Sequence, residues 1–72
     1  MKLTEDDLKK SIKFHYGVEI KEKIGCLMIS FDGFEIEDIN DNIYKFKFRS
    51  DFERDVMYAI FKNLDRPKWI RI

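Results

Sequence analysis

Apolar and polar residues alternate in three runs between Leu27 and Arg49. Leu27, Ile29 and Phe31 alternate with Met28, Ser30 and Asp32; Phe34 and Ile36 with Glu35 and Glu37; Tyr44, Phe46 and Phe48 with Lys45, Lys47 and Arg49. A period of two predicts strands with one buried face. The runs are interrupted at Asp32-Gly33 and at Asn40-Asp41-Asn42. Asp-Gly between two such runs is a strong hairpin signal, because both central residues of a type I′ turn take positive φ. The stretch therefore predicts a three-stranded antiparallel meander.

A two-residue loop at Asp32-Gly33 would pair Phe31 with Phe34, Ile29 with Ile36 and Leu27 with Asp38. A three-residue loop at Asn40-Asp41-Asn42 would pair Ile39 with Ile43, Glu37 with Lys45 and Glu35 with Lys47, and on the other face Ile36 with Phe46 and Phe34 with Phe48. Both registers gather the aromatic and aliphatic residues on one face and the Glu and Lys residues on the other. A slip of one residue would exchange the faces. Opposite charges meeting across strands contribute about 0.2–1 kcal/mol per pair, enough to favour a register without driving folding.

The flanks read as helices. Before the meander, Thr4 with Asp7 predicts a capping box, Leu3 and Leu8 have hydrophobic-staple spacing, and Glu5, Asp6 and Asp7 suit the positive end of the helix dipole. Leu8, Ile12, His15 and Tyr16 form one stripe, and Gly17 is a natural stop. Val18–Ile24 then predicts a first strand, with Val18 and Ile20 on one face; Gly25 marks a bulge or a strand start. After the meander, Ser50 with Glu53 predicts a capping box opening a helix to Leu64, with a stripe of Phe52, Val56, Ala59, Ile60 and Leu64 flanked by Met57 and Phe61. Asp65-Arg66-Pro67 ends it, and Lys68–Ile72 alternates as a short edge strand would. The expected fold is one α+β domain over residues 1–72. It is a two-layer sandwich in α-β-β-β-β-α order, with both helices on one face of an antiparallel sheet.

Composition narrows the function. Seven Phe, three Tyr and one Trp give a dense aromatic supply for a 72-residue chain, which otherwise has little interior to spare. Fourteen basic and fourteen acidic side chains give a net charge of zero, which argues against a protein whose main task is wrapping a polyanion. The single cysteine, Cys26, allows neither an internal disulfide nor a zinc quartet. With no signal peptide and no apolar span, the expectation is a soluble cytoplasmic protein. Usage rich in Lys, Ile, Phe and Asp suits an AT-rich microbial or phage genome.

The search for an active site finds little. His15, the only histidine, lies on the Leu8/Ile12 stripe and reads as structural. Cys26 reads as a small strand residue rather than a nucleophile, which would need a neighbouring base. Glu35, Glu37, Asp38 and Asp41 form an acidic run, but the expected lysine partners make it a salt-laced surface rather than a cation site. The glycines are scattered and form no phosphate loop. No catalytic, metal or cofactor residues are expected, no small-molecule substrate is evident, and the expectation is a non-enzyme.

Two interaction readings remain. On the outer sheet face, Cys26 would stand opposite Ile39, Met28 opposite Glu37, and Ile39 opposite Ile43, making an apolar island of Cys26, Met28, Ile39 and Ile43 beside a charged row. Such an island on a small domain marks a protein interface, either for a partner or for a homodimer. The alternative is the basic and aromatic C-terminal segment, Lys62, Arg66, Lys68, Trp69 and Arg71, acting on nucleic acid by stacking and phosphate pairing. Residues 28–43 carry five acidic and no basic side chains, whereas residues 44–72 carry a net +4. The helix–three strands–helix part shares its order with double-stranded-RNA-binding domains. However, Ser50-Asp51-Phe52-Glu53-Arg54-Asp55, at the start of the second helix, is acidic where that fold grips phosphate. The leading expectation is a small interaction protein, a regulator or inhibitor of phage or mobile-element type, using its outer sheet face or its strand edges.

Overall fold

Thr4 opens the first helix as its sequence predicts. Its hydroxyl accepts from the Asp7 N–H at 3.3 Å, and the Asp7 carboxylate accepts from the Thr4 N–H at 2.8 Å. The two bonds satisfy donors that a helix start leaves orphaned. Helix α1 runs Glu5–Tyr16 and stops at Gly17, whose φ of 70° is the left-handed conformation glycine adopts freely. The computed structural model describes residues 2–65 and the backbone of Ile70 and Arg71. Strands β1 (Ile24–Ile29), β2 (Gly33–Asp38) and β3 (Ile43–Lys47) follow, then helix α2 (Asp51–Lys62) and a two-residue strand β4 (Ile70–Arg71). The sheet order is β3-β2-β1-β4; the first three strands are antiparallel, and β4 lies parallel to β1 through Leu27–Ile70 and Met28–Arg71.

The fold is α+β, with helices flanking a three-stranded antiparallel meander. Leu8 and Ile12 of α1 and Met57 and Phe61 of α2 join Leu27, Phe34, Ile36 and Phe46 of the sheet in one core. Phe34 is the hub of the aromatic part. It stacks on Phe46 with centroids 4.7 Å apart and takes Phe61 and Tyr16 edge-on at 5.1 and 5.7 Å. These are the geometries that ring quadrupoles favour. At the other end, Leu3 exchanges backbone hydrogen bonds with Asn63 and Asp65 and ties the N-terminus to the end of α2.

Four expectations need correction. The first concerns register. The observed pairs are Leu27–Ile36, Ile29–Phe34, Phe34–Phe46 and Glu35–Lys45, each hairpin offset by two residues from the predicted pairing. Neither Asp32 nor Gly33 has positive φ, so no type I′ turn forms. The turn spans Ser30–Gly33 instead, closed by the Ser30 N–H on the Gly33 carbonyl at 2.9 Å and by the Ser30 hydroxyl on Asp32 at 3.1 Å. Gly33 is required for another reason: a Cβ there would overlap the Phe46 carbonyl oxygen of the adjacent strand. In the second hairpin, Asp38 is 2% exposed and holds the loop from inside. Its carboxylate accepts from the N–H groups of Asn40 and Asn42 at 2.8 and 3.0 Å and from the Asn42 side chain at 3.0 Å. Burial pushes this carboxyl up, but the bonds from Asn42 and Asn40 outweigh it and hold it below its usual range.

The second correction is the first strand. Val18–Lys23 is irregular chain rather than a strand. Its alternation records burial, with Ile20 in the core and Val18 beside it, while both edges of β1 are taken by β2 and β4. Gly25 does mark a bulge, where the ladder shifts between Ile24 and Cys26.

Third, Phe31 is not core. The turn, shifted by one residue, carries it to the hairpin tip, where it is 78% exposed and lies 4.9 Å beneath the Arg54 guanidinium. Fourth, the buried face of α2 centres on the expected flanking residues Met57 and Phe61, with Leu64 buried just past the helix; Phe52 is 76% exposed and Ala59 is also exposed. The face is rotated because the half-buried Glu53 and Arg54 occupy its first turn. Ser50 caps α2 by accepting from the Glu53 N–H at 3.1 Å, but Glu53 does not complete the box. Its carboxylate takes the Arg49 N–H at 3.0 Å instead.

Candidate functional site

The outer sheet face follows from the alternation that buries the inner one. Cys26 and Met28 of β1, Glu35 and Glu37 of β2, and Ile43, Lys45 and Lys47 of β3 point away from the core. Laterally the rows read Cys26–Glu37–Ile43 and Met28–Glu35–Lys45. The island predicted from sequence is therefore divided. Cys26 does not face Ile39, Met28 faces Glu35 rather than Glu37, and Glu37 stands between Cys26 and Ile43. Ile39 sits in the β2–β3 loop, its N–H bonded to the Lys23 carbonyl at 2.9 Å. Met28, Ile39 and Ile43 are 50%, 57% and 56% exposed, and Cys26 is half-buried.

The same offset changes the electrostatics. Glu35 faces Lys45, and Lys47 faces Gly33. Among the described residues, none of Glu35, Glu37, Lys45 and Lys47 forms an ion pair within 4.0 Å. The expected salt lacing is absent there, and both carboxylates stay available to an incoming group. Beside Gly33 the face dips. Met28, Ser30, Glu35, Lys45 and Lys47 surround a shallow depression of about 230 Å³.

A second polar cluster, which the sequence does not announce, joins the two helices. The Tyr16 hydroxyl donates to Glu53 at 2.9 Å, and the Arg49 side chain donates to Glu53 through Nε at 3.0 Å and Nη2 at 2.8 Å. Arg49 also donates to the His15 carbonyl and lies 5.2 Å over the Tyr16 ring. Burial pushes the Glu53 carboxyl up, but the bonds from Arg49 and Tyr16 outweigh it and hold it below the usual carboxylate range. Burial and the bond to Glu53 push the Tyr16 phenol well above its usual range. A phenol held this firmly protonated is no general base or nucleophile at neutral pH. The cluster is a clasp, and its one hint in the sequence was Tyr16 closing an otherwise apolar helical stripe.

His15 is half-buried at the end of α1. Among the described residues no group of three or more His, Cys, Asp or Glu could hold a metal ion. Of the basic C-terminal candidates, Lys62 is exposed at the end of α2. Arg66, Lys68 and Trp69 lie outside the described residues, as does the side chain of Arg71. Among the described residues no helix is long and apolar enough to cross a membrane. Set against known protein families, curated proteins and solved structures, the chain matches none.

Proposed function

We propose that the chain is a small non-enzymatic interaction module of the cytoplasm, a regulator or inhibitor of the kind phages and mobile elements carry, which binds a protein through its outer sheet face. The observation that carries this reading is the exposure of Met28 and Ile43 on the outer face beside the carboxylates of Glu35 and Glu37, with Ile39 exposed in the adjoining β2–β3 loop. Single exposed apolar residues are ordinary, whereas three large ones exposed on or beside one face of so small a protein favour an interface. The depression at Gly33 adds a place for one partner side chain to enter.

Affinity capture with wild type and with the Ile39→Lys/Ile43→Lys double variant tests the reading, with melting temperature as the control for folding. A partner retained by wild type and lost by a folded double variant is the expected result. Sedimentation of both proteins identifies a second copy as the partner if only wild type self-associates. A partner held equally by both proteins removes the outer face from the mechanism. Single-stranded nucleic acid bound at physiological salt, and released by Trp69→Ala in a folded protein, would replace it with the C-terminal segment.

A further inference from the structure

The β3 edge is built to accept a strand. In an antiparallel pair, successive residues alternate between bonding the neighbour and pointing their N–H and C=O groups away. The Asp38 N–H bonds the Asn42 carbonyl at 3.0 Å, and the Phe48 N–H bonds the Asp32 carbonyl at 3.0 Å. These two bonds fix the phase of the β2–β3 ladder: Tyr44 and Phe46 bond β2, while Ile43, Lys45 and Lys47 turn their backbone groups outward. Strand β3 is terminal in the sheet, and among the described residues nothing hydrogen-bonds to this row.

We propose that β3 binds an extended segment of a partner protein by strand addition, and that this segment alternates acidic with apolar residues. The main chain supplies a donor and an acceptor at each of Ile43, Lys45 and Lys47, the ladder that β-augmentation uses. Charge chooses the occupant. Lys45 and Lys47 project from the outer face, exposed and without a carboxylate within 4.0 Å among the described residues. An added strand sets alternate side chains beside them, about 5 Å away, where glutamate or aspartate completes the pairs. Its other side chains fall beside Tyr44 and Phe48, which are half-buried against the core. An apolar residue there extends the inner face. A second copy of β3 fits poorly, because its own Lys45 and Lys47 would come to the same face. Lysines on a sheet edge discourage self-pairing; here they also select the partner that neutralises them. The inference goes beyond docking on the outer face, since it concerns main-chain recognition at the edge of that face.

The test uses two fluorescein-labelled synthetic peptides, one alternating valine with glutamate and one alternating valine with lysine, titrated into the full chain. The glutamate peptide is expected to bind at least ten-fold more tightly, with the largest amide shifts in nuclear magnetic resonance at Ile43, Lys45 and Lys47. Lys45→Pro removes the outward N–H together with the lysine charge, at a position where an edge strand tolerates proline, and should weaken binding at least ten-fold more than Lys45→Ala, which removes the charge and keeps the N–H. Lys45→Glu/Lys47→Glu, which leaves the backbone alone, should reverse the peptide preference. Equal affinity for the two peptides overturns the proposal, as does binding to neither. Shifts centred on Met28 and Ile39 assign binding to the face and overturn the edge alone. A free protein already dimeric through β3 gives the edge to a second copy and overturns it too.

Discussion

The hydroxyl of Tyr16 donates to the carboxylate of Glu53 at 2.9 Å, joining the last residue of α1 to the first turn of α2 across 37 positions of sequence. The bond closes a circuit in which Arg49, between β3 and α2, holds the same carboxylate and the end of α1. Tyr16→Phe keeps the ring against Phe34 and Phe46 and removes only the hydroxyl. It should cost about 1.5–3 kcal/mol, the range for a hydrogen bond to a charged group, read as a shift in the urea midpoint at constant slope.

Two carboxylates predict how acid acts. Glu53 and Asp38 are both held below their ordinary values of 4.5 and 3.8. The folded state therefore binds fewer protons than the unfolded chain across that interval. Their contribution is complete above the ordinary values and is lost as pH falls through the lower folded ones. A flat urea midpoint above pH 5, falling steeply below pH 4, is the expected profile. Asp38→Asn should flatten the fall, because the loop then no longer depends on an ionised carboxylate.

The faces of the sheet were legible in the sequence and the register was not, for one reason. A slip of two residues preserves the period-two parity, so Leu27, Phe34, Ile36 and Phe46 stay inside under either pairing, while every lateral neighbour changes. The pairing was decided by Ser30 and Asp38, whose side chains bond back into their own turns and set where each loop begins. The apolar outer-face residues were legible singly, but their contiguity depended on register; Glu37 now separates Cys26 from Ile43. The alternation of Val18 and Ile20 told of burial, and burial needs no strand partner. Glu53 was legible as a residue of the α2 cap; its reach to Tyr16 depends on the packing of α1 and could not be read from spacing.

Glycine substitutions separate two uses of one residue type. At Gly33 a Cβ meets the Phe46 carbonyl oxygen of β3, and backbone on both sides leaves no flexible end to yield. Gly33→Ala should therefore unfold the chain or cost roughly 3 kcal/mol or more, a loss on the scale of severe overpacking. At Gly17 nothing lies within 4 Å of an added Cβ, so Gly17→Ala faces only the left-handed strain of φ 70°, about 1–2 kcal/mol. Thermal melts of the two variants give the comparison, and equal losses would contradict the close approach at Gly33.

Phe31 and Phe34 test the register most directly. The two-residue Asp-Gly turn would pair them and bury both. In the structure Phe34 is 4% exposed at the centre of the aromatic cluster and Phe31 is 78% exposed at the hairpin tip. Phe34→Ala should cost about 3–5 kcal/mol, the usual loss for a buried phenylalanine, and in a chain of this size that leaves little or no folded protein. Phe31→Ala forfeits the contact with the Arg54 guanidinium, worth about 0.5–1 kcal/mol at an exposed site, and little else. Paired losses of similar size would return Phe31 to the core and restore the turn at Asp32-Gly33. A large loss at Phe34 beside a small one at Phe31 places the turn at Ser30–Gly33 in solution.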